Sequence, residues 1–127
     1  MIRRIRNDRA AFTLVEIMIV VAIIGLLAAL AVPGFVRARK QSQGRRIVND
    51  ARQQDAAIDQ WALETGQTDG ATINTTAAQL YLKSTWKSTD ILGGSFVYTG
   101  NVGTQQVQIS GTTKTALSGV GIDWGVY

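Results

Sequence analysis

Between Glu16 and Arg37 lie twenty residues, IMIVVAIIGLLAALAVPGFV, without one charge, and no other stretch limits the fold so tightly. As a helix rising about 1.5 Å per residue, the run spans roughly 30 Å, the hydrocarbon thickness of a bilayer. It is apolar on every face, so it needs lipid or copies of itself around it. A buried core helix is the alternative, but the rest of a 127-residue chain is too small to wrap one of this length. A basic start and the small triplet Ala29, Leu30, Ala31 also fit a secretory signal peptide. Against that, the run exceeds the roughly 7 to 15 residues of a signal core.

Glu16 is the second obstacle to the signal-peptide reading. A carboxylate at the edge of a membrane span is costly, and by default it is a functional candidate whose positive partner must be found. No Lys, Arg or His occurs between Arg9 and Arg37. A new amino terminus would supply the cation: if the chain were cut just before Phe12, the α-amino group would sit four residues from the carboxylate. An identical neighbour would present the same cation at the same depth, so one ion pair would offset the burial of the charge and fix the stagger between subunits.

The stretch AFTLVEIMIVVAIIGLLAALAVPGF, Ala11 to Phe35, resembles the N-terminal cleavage and methylation motif of type IV pilins and of the pseudopilins of type II secretion systems. The resemblance covers about the first 35 residues. It implies a bacterial inner-membrane precursor with a cytoplasmic N terminus and a periplasmic head, in three parts. These are a basic leader at 1–11, a transmembrane and filament-core helix at 12–36, and a head at 37–127. A prepilin peptidase would cut between Ala11 and Phe12 and methylate the Phe12 amine. The family usually has Gly before the cut; Ala11 is still small, so slower processing is expected. Glu16 would serve assembly, and the helix would loosen between Gly25 and Pro33 when subunits leave the membrane. The physics agrees, because Pro33 cannot donate to the carbonyl four residues back and its ring clashes there. A simple kink is the bland alternative.

Charge is unevenly spread. The leader holds Arg3, Arg4, Arg6 and Arg9 against Asp8, and Arg37, Arg39, Lys40, Arg45 and Arg46 follow the span, whereas from Ile47 onward four basic residues face seven acidic ones. With basic residues on both flanks the positive-inside rule gives no vote. The second cluster reads as a collar facing lipid phosphates, with pairing to Asp50, Asp55 and Asp59 of adjacent subunits as the sharper alternative.

The helix is expected to continue to Glu64, carrying a stripe of Ile47, Ala51, Ile58, Trp61 and Ala62, and to stop at Gly66. Thr76-Ala-Ala-Gln79 has the form of a capping box opening a short helix through Tyr81, Leu82 and Lys83. Residues 95–99 and 106–110 alternate apolar and polar side chains around a Gly100 to Gln105 turn, a hairpin signal. Residues 112–117 and 121–127 are expected to add strands. The outcome is an α+β, pilin-like head, with the second half of a long helix packed on a small antiparallel sheet.

Zero cysteine and zero histidine exclude disulfides, thiolate metal sites, thiol catalysis and the usual general base. Asp55 and Asp59 share a helix face and read as solvated charges. Asp69-Gly70 reads as a turn. Asp90 and Asp123 are isolated, and no acid-rich loop offers the roughly 6 to 8 oxygens a calcium ion takes. No metal or cofactor is expected. Trp61, Trp86 and Trp124 read as core packing; base stacking would want an interleaved basic patch, so nucleic acid is not an expected partner. The chain is read as a non-enzymatic filament subunit. Its partners would be further copies of itself, the prepilin peptidase, an inner-membrane assembly platform, minor pilins and the membrane. The small cysteine-free head tilts the choice toward a secretion pseudopilus over a surface pilus. Two other classes compete: a small secreted binding domain released after Ala31, and a membrane-tethered nucleic-acid binder using the basic cluster at 37–46.

Overall fold

In the computed structural model the described residues are 11–103 and 105–127, so the expected leader lies outside them except for Ala11. One helix, α1 (Leu14–Thr65), runs for 52 residues without a break at Gly25 or Pro33. Contacts divide the chain into two units, Met1–Val36 and Arg37–Tyr127.

In the first unit every described residue is exposed. The most apolar 18-residue window of α1 has a mean hydropathy of 2.9, and none of it is buried within the chain. Its described residues form a helix with Leu, Ile and Val side chains presented to the surroundings. A surface of that kind requires lipid or protein to cover it.

The second unit is built on the rest of α1. All five residues of the expected stripe are buried, and Val48 and Ala57 widen it. The helix ends as its sequence requires: Gly66 adopts φ +67°, Gln67 N–H donates to Ala62 O at 2.8 Å and Gly66 N–H to Leu63 O at 3.4 Å. Two such bonds after a left-handed glycine form a Schellman stop.

The short helix after it, α2 (Thr75–Ala78), extends into a 3₁₀ turn, Gln79–Tyr81. Its cap is Asn74, whose side chain accepts from Ala77 N–H at 3.0 Å, and not the expected Thr76 box. Asparagine two residues upstream takes the role, being among the best N-cap residues. Leu82 is already extended, so the helix stops short of Lys83.

Strands β1 (Phe96–Tyr98) and β2 (Val107–Ile109) pair antiparallel, with Phe96 opposite Ile109 and Tyr98 opposite Val107. The hairpin sits where alternation placed it, trimmed by a residue at each end. Beyond it the expectation fails. Residues 111–116 form a helix, α3 (Gly111–Ala116), instead of a strand. Ser110 caps it by accepting from Thr113 N–H, and Thr115 Oγ1 donates back to Gly111 O at 2.8 Å. Local hydroxyl bonds thus satisfy a backbone whose threonines had suggested a strand. Residues 121–127 are also not a strand; positive φ at Gly121 and Gly125 breaks extended geometry.

The core joins Ile47, Val48, Ala51, Ile58, Trp61 and Ala62 of α1 to Phe96, Val107 and Ile109 of the hairpin, closed by Ala78, Val102 and Leu117. In its middle lies Gln54, only 1% exposed. Its Nε2 donates to Lys87 O at 2.7 Å, and its Oε1 accepts from Tyr98 OH at 2.9 Å. Trp61 is buried; Trp86 stacks on Tyr98 with ring centroids 5.6 Å apart. The aromatics of this unit serve packing.

Candidate functional site

Ala11 and Phe12 precede the first helical turn in non-helical, exposed backbone. Thr13 and Glu16 then close that turn reciprocally. Glu16 N–H donates to Thr13 Oγ1 at 3.2 Å, while Thr13 N–H and Thr13 Oγ1 donate to Glu16 Oε2 at 2.7 and 3.0 Å. This is a capping box, which satisfies two backbone donors that a helix start leaves open. Thr13-Leu-Val-Glu16 carries the capping-box pattern in the sequence, Thr followed three residues later by Glu. Both bonds fall on Oε2. No bond to Oε1 is found among the described residues. A shallow apolar groove lined by Phe12, Glu16, Ile17, Ile19 and Val20 flanks it.

Glu16 is the one charged residue among the described residues of the first unit. Its carboxylate therefore meets no cation there. Phe12 lies four residues before it, ahead of the first helical residue Leu14. Gly25 and Pro33 lie one and two helical stretches further on, on fully exposed backbone positions where an added Cβ at Gly25 would meet nothing within 4 Å. Among the described residues nothing packs on Gly25. The carbonyl four residues before Pro33, that of Ala29, lacks the usual donor because proline has none.

In the second unit, Arg37, Arg39, Arg45 and Arg46 are exposed and Lys40 is half-buried. The ion pair found among the described residues is Lys87 to Asp50, at 2.8 Å. Asp50 therefore has an internal partner, and so do the other two acids considered as acceptors for a neighbour's basic cluster. Asp55 Oδ2 accepts from Tyr127 OH at 3.2 Å, and Asp59 Oδ1 accepts from Gln106 Nε2 at 2.5 Å. Asp55 is half-buried rather than fully solvated. Burial pushes its carboxyl above the usual carboxylate range, with the Tyr127 hydrogen bond opposing and the charge of Asp59 reinforcing the rise. Asp90 is a structural acid: Leu92 N–H and Gly94 N–H donate to its Oδ1 at 2.8 and 3.0 Å, and Thr113 Oγ1 to its Oδ2 at 2.5 Å. Asp123 closes a turn by accepting from Gly125 N–H at 2.9 Å. No cluster of three or more His, Cys, Asp or Glu occurs among the described residues.

Residues 6–32 match the family model of the prokaryotic N-terminal methylation motif. Fimbrial protein Q of Moraxella bovis is 34% identical over 123 residues, covering 89% of this chain and 76% of its own length. The type IV major fimbrial protein FimA of Dichelobacter nodosus is 41% identical over 75 residues, 59% of this chain and 47% of its own. The type II secretion system core protein G of Klebsiella michiganensis is 34% identical over 59 residues, 46% of this chain and 42% of its own. In the last two cases the match spans less than half of the relative. No solved structure matches the chain. A motif at the helix start, joined to a fimbrial relative that matches through the head, establishes that the chain belongs to the type IV pilin and pseudopilin family.

Proposed function

We propose that the chain is a structural subunit, not an enzyme, made as a single-pass inner-membrane precursor with its N terminus cytoplasmic and its head periplasmic. Prepilin peptidase cuts the exposed bond between Ala11 and Phe12 and methylates the Phe12 amine. An inner-membrane platform, with minor pilins, then draws the mature subunit into a helical filament of identical copies. The observation that carries this reading is the lone carboxylate of Glu16 on an exposed apolar helix, four residues from the amine that cleavage would create. Among the described residues that carboxylate bonds Thr13 alone. After cleavage, Oε1 accepts the Phe12 ammonium of a neighbour while Oε2 keeps its capping bonds. In lipid or in a filament core the ion pair removes the cost of an unpaired charge. Gly25 and Pro33 mark where the helix gives way during extraction, since one ladder bond is already missing there.

The fimbrial relative matches over most of both chains, whereas the secretion-system relative matches a shorter part, which favours a type IV pilus. The secretion pseudopilus is kept as a second reading because the head is small and lacks cysteine. Mass spectrometry of the native N terminus tests the proposal: a chain starting at methylated Phe12 supports it, and a chain starting at Met1 or Val32 overturns it. Immunogold labelling of the head at native expression then separates the two filaments, long surface fibres indicating the pilus.

A further inference from the structure

Charge in the head is separated along its helix. Arg37, Arg39, Lys40, Arg45 and Arg46 fall in a stretch that holds no acid, whereas residues 53–82 carry Asp55, Asp59, Glu64 and Asp69 and not one Lys, Arg or His. Internal bonds sort these groups. Asp50 takes Lys87, Asp55 the Tyr127 hydroxyl and Asp59 the Gln106 amide, so the three acids nearest in sequence to the basic cluster have partners within the head. Glu64 and Asp69 differ. Both are exposed, and neither meets a cation among the described residues; Glu64 accepts from the neutral Gln60 amide at 3.1 Å. The last turn of α1 contains no basic residue, so the Glu64 charge adds to the negative end of the helix rather than cancelling it. At the other end, Arg37, Arg39, Arg45 and Arg46 are exposed and form no ion pair among the described residues. From Arg46 to Glu64 is about five turns of 3.6 residues, roughly 27 Å along the axis, which sets the two on one side of α1.

We propose that the basic end of the head, Arg37 to Arg46, binds the acidic end, Glu64 and Asp69, of a second copy of this chain displaced along α1 by about five turns. A lipid surface would satisfy the basic end and leave the acidic end uncompensated; a further copy satisfies both. The contact is heterologous, since different patches meet. Each copy therefore keeps one end free for the next, and the contacts continue into an open fibre instead of closing as a two-fold dimer. This inference rests on the filament reading above and adds which parts of the heads meet.

The test uses the full chain at native expression, with sheared filament measured against mature subunit. Every substituted residue is exposed, and a melt in detergent equal to the parent's checks each fold. Arg45→Glu with Arg46→Glu reverses one end; Glu64→Lys with Asp69→Lys reverses the other. Each reversal turns attraction into repulsion and is expected to cut the yield about tenfold, while all four changes together restore it to within about threefold of the parent. Unchanged yield after reversal of the acidic end, or a combined variant as poor as its parts, overturns the contact. Loss from the basic end alone does so too and assigns that end to lipid phosphates.

Because the chain has no cysteine, Arg46→Cys with Glu64→Cys supplies its only thiols. A short bifunctional thiol reagent is expected to link filaments of this variant into a ladder of multimers and to leave each single variant monomeric; intact filaments without a ladder overturn the contact. Mass spectrometry of the mature N terminus keeps the two readings apart. A chain that starts at Phe12 and polymerises indifferently to these charges overturns the contact and leaves the filament reading standing. A parent that is neither processed nor polymerised overturns both.

Discussion

Replacing Glu16 by Gln separates the capping role seen for its carboxylate from the pairing role proposed for it. The reciprocal bonds to Thr13, at 2.7, 3.0 and 3.2 Å, need only an acceptor oxygen and a helix start, both of which Gln supplies. Pairing with the Phe12 ammonium needs a negative charge, which Gln lacks. Losing an N-cap typically costs about 1 kcal/mol, a factor of about five in an equilibrium. Leaving an ammonium in a dry interface without its anion is a larger loss, about a hundredfold to a thousandfold in the subunit concentration needed for polymerisation. Glu16→Gln should therefore insert and be cleaved normally yet give almost no filament, while Thr13→Val, which keeps the charge and loses the cap, should reduce yield only about fivefold. The assay is the ratio of sheared filament to mature subunit on immunoblots, with the cleaved N terminus checked by mass spectrometry. Normal yield from Glu16→Gln together with severe loss from Thr13→Val would refute the pairing argument and leave Glu16 as a cap.

In the head, Gln54→Leu removes the short bonds to Lys87 O and the Tyr98 hydroxyl, leaving those two only their long mutual bond of 3.4 Å, and should lower stability by about 1 to 3 kcal/mol, read from thermal melts in detergent. At Gly94 an added Cβ would lie 2.6 Å from Ser110 Oγ and 2.8 Å from Asp90 Oδ2, so Gly94→Ala should break the Asp90 to Thr113 link and cost about 2 to 3 kcal/mol in the same assay. Burial raises the Tyr98 phenol above its ordinary value of 10.0, so above that pH the folded state holds more protons than the unfolded one and stability falls as pH rises. Tyr98→Phe should be less stable at neutral pH, having lost the Gln54 bond, and should show a shallower decline above pH 10, measured by melts across the alkaline range.

Long-range periodicity was the legible part of this chain. The apolar run, the buried stripe and the Gly66 stop could be read because a 3.6-residue repeat and a left-handed glycine are local physics. The hairpin followed from alternation in 95–99 and 106–110. Residues 111–116 misled because β-branched threonine favours strands on average, whereas here Ser110 and the threonine hydroxyls bond the backbone at short range. Gln54 went unnoticed since nothing local distinguishes a glutamine on the buried face from one in water; its partners lie 33 and 44 residues away. Asp55 was hidden for the same reason, with Tyr127 reaching it from 72 residues downstream. At the N terminus the chemistry of Glu16 was conspicuous, while its capping geometry needed Thr13 to be read with it.

The hairpin brings three residues from each strand, too few to be stable by itself, so the apolar stripe of α1 and its cover are stable only together. During synthesis the stripe emerges first and its cover last. At about 5 to 20 residues per second, the ribosome needs several seconds to deliver everything after Gly66. Throughout that interval Ile47, Ile58 and Trp61 are sticky and unshielded beside an even greasier anchor. The order of its parts thus leaves the helix waiting for its cover, and a delay in translating the last thirty or so residues would lengthen the window for misassociation.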